Sequence, residues 1–563
     1  MEKYNKECVD AIYSDREFII IGLTGRTGSG CSTASKILEK NRFEEIYKTD
    51  VNQLFGNEKR KNLIIYNYTV KNWQAFTVIK VSNVIALMVA EKLSVESPES
   101  HYQLIKNLTA STSLKPEEIS KALKTKSQTH PTYETAEALN EELLSELGQS
   151  TYKQLFQLFG DNIRRSGNPL NSSDVDGGAC FSLARRIWDV IQNKKEALQK
   201  SSKKPFFVID AIRNPYDAQY FKQRFSAFYM VAITVDHTTR RKRLTELNYT
   251  KTDIHHLDYK EGIEAEELGA SADELEKIKN TTPDPKKMLF GQNIGSCLEF
   301  ADIFIDNPND EIAKNGNPRK LADELIKFYA LMRRPGLVTP TPIERSMQIA
   351  FTAKYNSGCL SRQVGAVVTN SSFSVLSIGW NDVPKGQVSC NLRNVEYFLR
   401  QRDEEAFSPF ERTTKNFFEH IQKKFEGKSS KLRETGKIPV YCFKSEYNEL
   451  KNTNNQVFVR ALHAEENAFL QIALRGGVGI EGGFLFTTAS PCELCAKKAY
   501  QLGIKKIYYV DPYPGISKEL ILLTGEHRPE MVLFSGAIGR AYDQLYRPLM
   551  PVKDEVKYLM DPS

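Results

Sequence analysis

Four side chains stand out by type and spacing: His463 and Glu465 in His463-Ala464-Glu465, and Cys492 and Cys495 in Pro491-Cys492-Glu493-Leu494-Cys495. One imidazole and two thiolates suit zinc, and a catalytic zinc takes three protein ligands and leaves its fourth position to water. Cysteines three apart at a helix start present both sulfurs to one side of a metal, and a histidine heading a neighbouring helix supplies the third ligand. Zinc lowers the pKa of bound water towards about 7, which makes hydroxide available at neutral pH. Glu465 is not needed as a ligand and is placed to carry that proton. The alternative is a structural zinc knuckle, or two buried thiols beside an unrelated histidine. A structural site, however, wants a fourth Cys or His and has no use for Glu465 or Pro491.

The complete H-x-E…P-C-x-x-C arrangement resembles the signature of zinc deaminases, and residues 343–545 resemble the cytidine and deoxycytidylate deaminase superfamily. Val364-Gly365-Ala366-Val367 leads into Gly379-Trp380-Asn381-Asp382-Val383-Pro384-Lys385-Gly386. This is similar to the G-Y-N-G-x-P-x-G segment of deoxycytidylate deaminases, with Trp380 for Tyr and Asp382 for the second Gly. His463 to Ala468 has the H-A-E-x-N-A form of the same family. The resemblance implies an α/β/α sandwich on a mixed sheet, with Zn2+ on His463, Cys492 and Cys495, and Glu465 as proton shuttle. It also implies Asn381 hydrogen-bonding the nucleotide and the backbone at Ala464, Ser490 and Pro491 holding the base edge. The implied substrates are dCTP and dCMP, converted to dUTP and dUMP. A polynucleotide-acting deaminase, on tRNA adenosine or single-stranded cytosine, is the alternative. The tRNA adenosine group shares V-G-A-V and G-W-N, but there H-A-E follows closely, whereas here His463 lies 82 positions beyond Asn381. Asn381 can also be read simply as a turn residue before a proline.

A second constellation lies near the N-terminus. The apolar run Phe18 to Ile21 feeds Gly25-Arg26-Thr27-Gly28-Ser29-Gly30-Cys31-Ser32, a Walker A form in which Cys31 replaces the lysine. Gly25, Gly28, Ser29, Gly30, Cys31, Ser32 and Thr33 are the expected nucleotide-binding residues, since backbone N–H groups at a helix N-terminus cradle phosphate. Ser32 suits Mg2+. The missing lysine removes the cation that bridges the transferring phosphates, so binding with little hydrolysis is expected. Arg26 is a candidate replacement cation. The surrounding chain resembles P-loop nucleotide kinases, with Phe206 to Ile209 and Asp210 similar to a Walker B strand and its acid, and Asp236 to Arg243 similar to an arginine-bearing lid. The competing reading is a glycine turn that binds nothing.

These motifs need two scaffolds. Apolar runs at Phe206 to Ile209, Tyr229 to Val235 and Ile303 to Ile305 alternate with helical stretches, which predicts a parallel sheet with crossover helices. The fold class is therefore α/β. Residues 1–335 are expected to form a P-loop kinase-like domain with a helical insertion at about 72–200, and residues 336–563 a cytidine-deaminase-like sandwich with an insertion at about 388–456. The boundary is the proline-rich Arg334 to Pro342. In the 388–456 stretch, Lys423, Lys424, Lys428, Lys431 and Arg433 stand among Phe417, Phe418 and Phe425. It reads as a solvated amphipathic helix pair, or else as a lid, a subunit contact or a basic surface for phosphate or RNA.

The 563 residues carry 77 Lys+Arg against 70 Asp+Glu, a mild excess of +7 without the like-charge block of a nucleic-acid tail. Apolar residues at 40% and charged residues at 26%, with no apolar run of bilayer length, argue for a folded, non-membrane protein. Nine cysteines and a polar N-terminus predict a reducing cytoplasm. Taken over both halves, the sequence resembles the bacterial anti-phage deoxycytidine nucleotide deaminases. That resemblance implies depletion of dC nucleotides during infection, a nucleotide effector at the N-terminal domain, and restraint by an inhibitory small RNA. A nucleoside triphosphate with Mg2+ at the P-loop and a homo-oligomeric state complete the expectations.

Overall fold

The computed structural model describes residues 2–14, 18–46, 55–110, 112, 114–124, 131–171, 173–261, 271–281, 289–308, 319–428, 430–453, 455–477, 479–511 and 517–560. Two compact units emerge: Met1–Thr339 together with Ser535–Ser563, and Pro340–Phe534. Among the described residues the strands are β1 (Ile19–Thr24), β2 (Thr77–Lys80), β3 (Phe206–Asp210), β4 (Phe228–Thr234), β5 (Ile303–Asp306), β6 (Gly365–Thr369), β7 (Val375–Trp380), β8 (Phe484–Ala489), β9 (Lys506–Asp511), β10 (Glu530–Leu533) and β11 (Gly536–Ala537).

In the first unit the sheet order is β2-β3-β1-β4-β5-β11. The first five strands are mutually parallel, and β11 closes the edge antiparallel to β5. β1 and β4 are buried along their whole length, as expected of central strands written as unbroken apolar runs. Ile19, Ile21 and Leu23 share a core with Ala34, Ile37 and Leu38 of the helix Cys31–Leu38 and with the helix Arg319–Arg333. That packing fixes the glycine loop between β1 and its helix.

Two features differ from the sequence expectation. The 72–200 segment is not wholly helical: Thr77–Lys80 pairs with β3, because a β-branched run beside a parallel edge gains a full ladder there. Among the other described residues of this segment, helices run at Val81–Ser94, Pro98–Thr109, Pro116–Lys124, Tyr133–Ser166 and Ser182–Lys200. The longest of these breaks at Gly148, where φ is 70° and ψ 165°. Residues 535–563, read as part of the second domain, pack instead with the first: Ile538 N–H donates to the Asp302 carbonyl at 2.8 Å, and Arg540 donates to the carbonyls of Lys222 and Phe228 at 2.7 and 2.6 Å.

The second unit is a mixed sheet, β10-β9-β8-β6-β7, antiparallel across β7, β6 and β8 and parallel across β8, β9 and β10. Ala366 and Val368 of β6 share a core with the helices Ala464–Leu474 and Glu493–Gln501. Gly365 faces the other way, against the helix Pro342–Ala353, where an added Cβ would lie 2.0 Å from the Ala350 carbonyl. Alternation along β6 therefore puts helices on both faces, an α/β/α sandwich. The 388–456 stretch is a small helical subdomain built on Val395, Phe398, Phe407, Phe417, Ile421 and Tyr441. A buried Arg393–Glu411 ion pair holds it, with Tyr441 donating to Glu411 at 2.7 Å and Arg393 lying 4.3 Å from the Phe407 ring centre. Among the described residues no helix is long and apolar enough to cross a membrane.

Candidate metal centre and active site

Helix starts bring the four chemical residues together. His463 is the N-cap of Ala464–Leu474, and Cys492 is the N-cap of Glu493–Gln501, with Cys495 in its first turn. His463 Nδ1 lies 3.2 Å from Cys492 Sγ and 3.4 Å from Cys495 Sγ. A nitrogen and two sulfurs converging at this range are the donor set zinc selects. The Cys492 thiol is pulled down to about 4, because the Cys495 thiol donates to it and His463 adds to the effect against burial. Two helix N-termini also favour negative sulfur. Cys495 is correspondingly pushed up by its hydrogen bond to Cys492 and by burial, and His463 is raised by Cys492. The two helices are tied across the site by an ion pair between Lys498 and Glu466.

Glu465 is 4% exposed, and burial pushes its carboxyl above the ordinary range. Thr487 Oγ1, on β8, lies 3.1 Å from its Oε1. Close backbone approach sets this geometry: a Cβ on Gly379 of β7 would lie 2.2 Å from the Ala464 carbonyl and 2.4 Å from the Ala468 nitrogen. Ala464 itself is fully buried. Ser490 N–H donates to the Asp511 carbonyl at 2.9 Å, and the Pro491 carbonyl accepts from Ser517 Oγ at 2.8 Å, so both are held where β8 turns into the cysteine-bearing helix.

A family model described as the cytidine and deoxycytidylate deaminase zinc-binding region matches residues 340–511. The deoxycytidylate deaminase of Enterobacteria phage T2 is 31% identical over 168 residues, which are 30% of this chain and 78% of the phage protein. The chain belongs to the cytidine and deoxycytidylate deaminase family. The deoxycytidylate deaminase of Enterobacteria phage T4 is 30% identical over 171 residues, 30% of this chain and 76% of the relative. Among solved structures, the dCMP deaminase of cyanophage S-TIM5 in complex with dCMP and dUMP is 24% identical, covering 34% of this chain and 95% of that one with a TM-score of 0.20.

Within this deaminase unit, the Asn381 amide has two backbone partners. It is 8% exposed; its Oδ1 accepts the Val364 N–H at 2.6 Å and its Nδ2 donates to the Arg362 carbonyl at 2.6 Å. Asp382, standing where the family segment has Gly, accepts from Ser389 Oγ at 2.8 and 2.9 Å and from Gly358 N–H at 3.2 Å. The pair thus ties neighbouring loops together. Thr487 was not anticipated from sequence; only its place on the strand preceding the cysteines could have flagged it.

In the first unit the glycine loop takes the expected place between β1 and a helix, but Cys31 is buried and its thiol is pushed up to about 12 by burial and by Asp210. The position is therefore neutral. Gly25, Gly28, Ser29 and Gly30 form the turn, while Ser32 and Thr33 are exposed in the first helical turn. Asp210 ends β3 and accepts from Ser35 Oγ at 3.0 Å, with burial raising its carboxyl. Beside the loop lies a cavity of about 960 Å³ whose lining includes Ser32, Asp210, Lys153, Arg213 and Tyr133. Burial, with Arg213 nearby, lowers Lys153 to about 8. Sequence reasoning also missed Arg213 and Glu261, which touch the loop at Thr27.

Proposed function

We propose that this chain hydrolytically deaminates the deoxycytidine nucleotides dCTP and dCMP to dUTP and dUMP, with zinc held by His463, Cys492 and Cys495. The observation that carries this reading is the convergence of those three donors with a buried carboxyl, Glu465, two residues from the histidine. Held by these three residues, zinc would supply a water acidic enough to attack at neutral pH. Glu465 would take a proton from the attacking water and pass it to the ring nitrogen next to C4, then move the remaining proton of the added hydroxyl to the amino group, which leaves as ammonia. Thr487 fixes the carboxyl oxygen that does so, and the buried backbone at Ala464, Ser490 and Pro491 walls the base edge. The phage relatives are deoxycytidylate deaminases, which supports a mononucleotide substrate.

The glycine loop of the first unit, on its parallel sheet and beside its cavity, supports a kinase-like module that binds a nucleotide with Mg2+, hydrolyses little, and adjusts the deaminase. Removal of dC nucleotides suits a role against phage, the role implied by the whole-chain resemblance. The test is ammonia release from dCMP, dCTP, a cytosine oligonucleotide and tRNA, each with and without ATP, GTP and dTTP. Turnover of the mononucleotides, shifted by a second nucleotide, is expected. Turnover of polynucleotide alone would replace this reading.

A further inference from the structure

An internal carboxylate already sits on the glycine loop. The Glu261 side chain has no exposure; its two oxygens accept the Thr27 backbone N–H at 3.0 and 3.2 Å, and one accepts the Thr27 hydroxyl at 2.6 Å. Arg213 Nη1 lies 3.1 Å from one oxygen and Arg240 Nη2 3.2 Å from the other. Arg240 is itself buried, donates through Nε to the Thr27 carbonyl at 2.8 Å, and pairs with Asp258 at 2.5 Å. Two arginines thus face two carboxylates, and the cluster is balanced without any ligand.

This is more than an ion pair inside a core. Positive φ at Gly28 and Gly30, 89° and 113°, gives a backbone turn of the kind that anion-binding loops use. With Cys31 in place of lysine, the cations that contact Thr27 are Arg213 and Arg240, and both are engaged by Glu261. A phosphate brought to those arginines while Glu261 stayed would bury like charges side by side, which is strongly unfavourable.

We propose that Glu261 is an exchangeable internal anion, and that a polyphosphate ligand seats on the loop by displacing it from the Thr27 N–H, Arg213 and Arg240. The proposal rests on the nucleotide-binding reading of the loop and adds what occupies it beforehand. The adjoining cavity, which Thr27 and Arg213 help line, gives the ligand its approach. Glu261 is the C-cap of the helix Lys251–Lys260, and Asp258 in that helix shares Arg240. Displacement therefore loosens the helix end, and ligand occupancy is read there.

The test uses the full chain and inorganic tripolyphosphate, with ATP in parallel, by calorimetry on the wild type, Glu261→Gln and Asp258→Asn. Glu261→Gln keeps the shape and removes the competing charge, so tripolyphosphate should bind at least tenfold more tightly. Asp258→Asn, which touches Arg240 but not the loop, should change affinity less. In the wild type, adding tripolyphosphate should speed amide exchange in 251–261. Equal or weaker binding by Glu261→Gln, or exchange that slows or does not change, overturns the proposal. If Glu261→Gln does not fold, the wild-type exchange decides alone. If no protein binds either probe, the nucleotide reading of the loop falls as well; binding that Glu261→Gln leaves unaltered removes only the exchange.

Discussion

Thr487 Oγ1 lies 3.1 Å from Glu465 Oε1 and 2.8 Å from the Ala489 carbonyl. A hydroxyl has one proton and a carbonyl only accepts. When Thr487 donates to Ala489, it can still accept from a protonated Glu465; when Glu465 is ionised, the hydroxyl can donate to it. Thr487 is thus a positioning residue matched to both states of the shuttle. Thr487→Val should lower kcat about tenfold, within the range typical of groups that orient a metal site's chemistry. KM and zinc content should stay unchanged and Thr487→Ser should recover most of the rate, as steady-state kinetics and metal analysis would show.

Removing the shuttle itself has a larger effect. Glu465→Ala should cut ammonia release by about 10²–10⁴-fold, the usual worth of a positioned acid–base group. Zinc should remain near stoichiometric, because His463, Cys492 and Cys495 hold it without the carboxylate. An active variant would refute the assignment.

Gly379→Ala tests how the site is held rather than what it does. The new Cβ would meet the backbone of Ala464 and Ala468 at 2.2 and 2.4 Å, so the helix that begins after His463 must move. Overpacking of this kind costs about 1–3 kcal/mol. Thermal melts should show the loss, with zinc content and activity falling together.

Glu411 gives a stability test with a defined pH sign. Burial alone would raise its carboxyl, but Arg393 beside it and hydrogen bonds from Ser408 and Tyr441 hold it below the ordinary 4.5. A depressed carboxylate stabilises the fold above its unfolded pKa and loses that contribution as pH falls through the folded one. Glu411→Gln leaves Arg393 buried without its counter-charge, a loss of about 3–5 kcal/mol at neutral pH. The gap between variant and wild-type melting temperatures should be widest above pH 5 and should narrow in acid.

The proposed metal donors were legible because ligand chemistry demands particular residue types at helix starts, and that demand is written in short spacings. Thr487 and Glu261 were not. Their contacts cross 22 and 234 positions, and neither a strand threonine nor a glutamate after a helix carries a periodic signal. Phe206 to Ile209 and Tyr229 to Val235 read as strands because central strands buried on both faces are written as unbroken apolar runs, and the strands observed are Phe206–Asp210 and Phe228–Thr234. β2 escaped because four residues running straight into the helix Val81–Ser94 look like part of its apolar face. Asn381 shows a different limit: its motif points to a nucleotide, and that its amide also bonds the backbone of Arg362 and Val364 is something no spacing could reveal.

The return of residues 535–563 to the first sheet sets an order on biosynthesis. Ser535 donates to the Phe304 carbonyl across 231 positions, and β11 caps the β5 edge. At about 5–20 residues per second, roughly 10–50 s separate the emergence of those two partners from a ribosome. Throughout that interval β5 presents an uncapped edge while the whole deaminase unit is being made. The glycine-loop sheet is thus started first and finished last, and its completion certifies that the deaminase unit has already been synthesised.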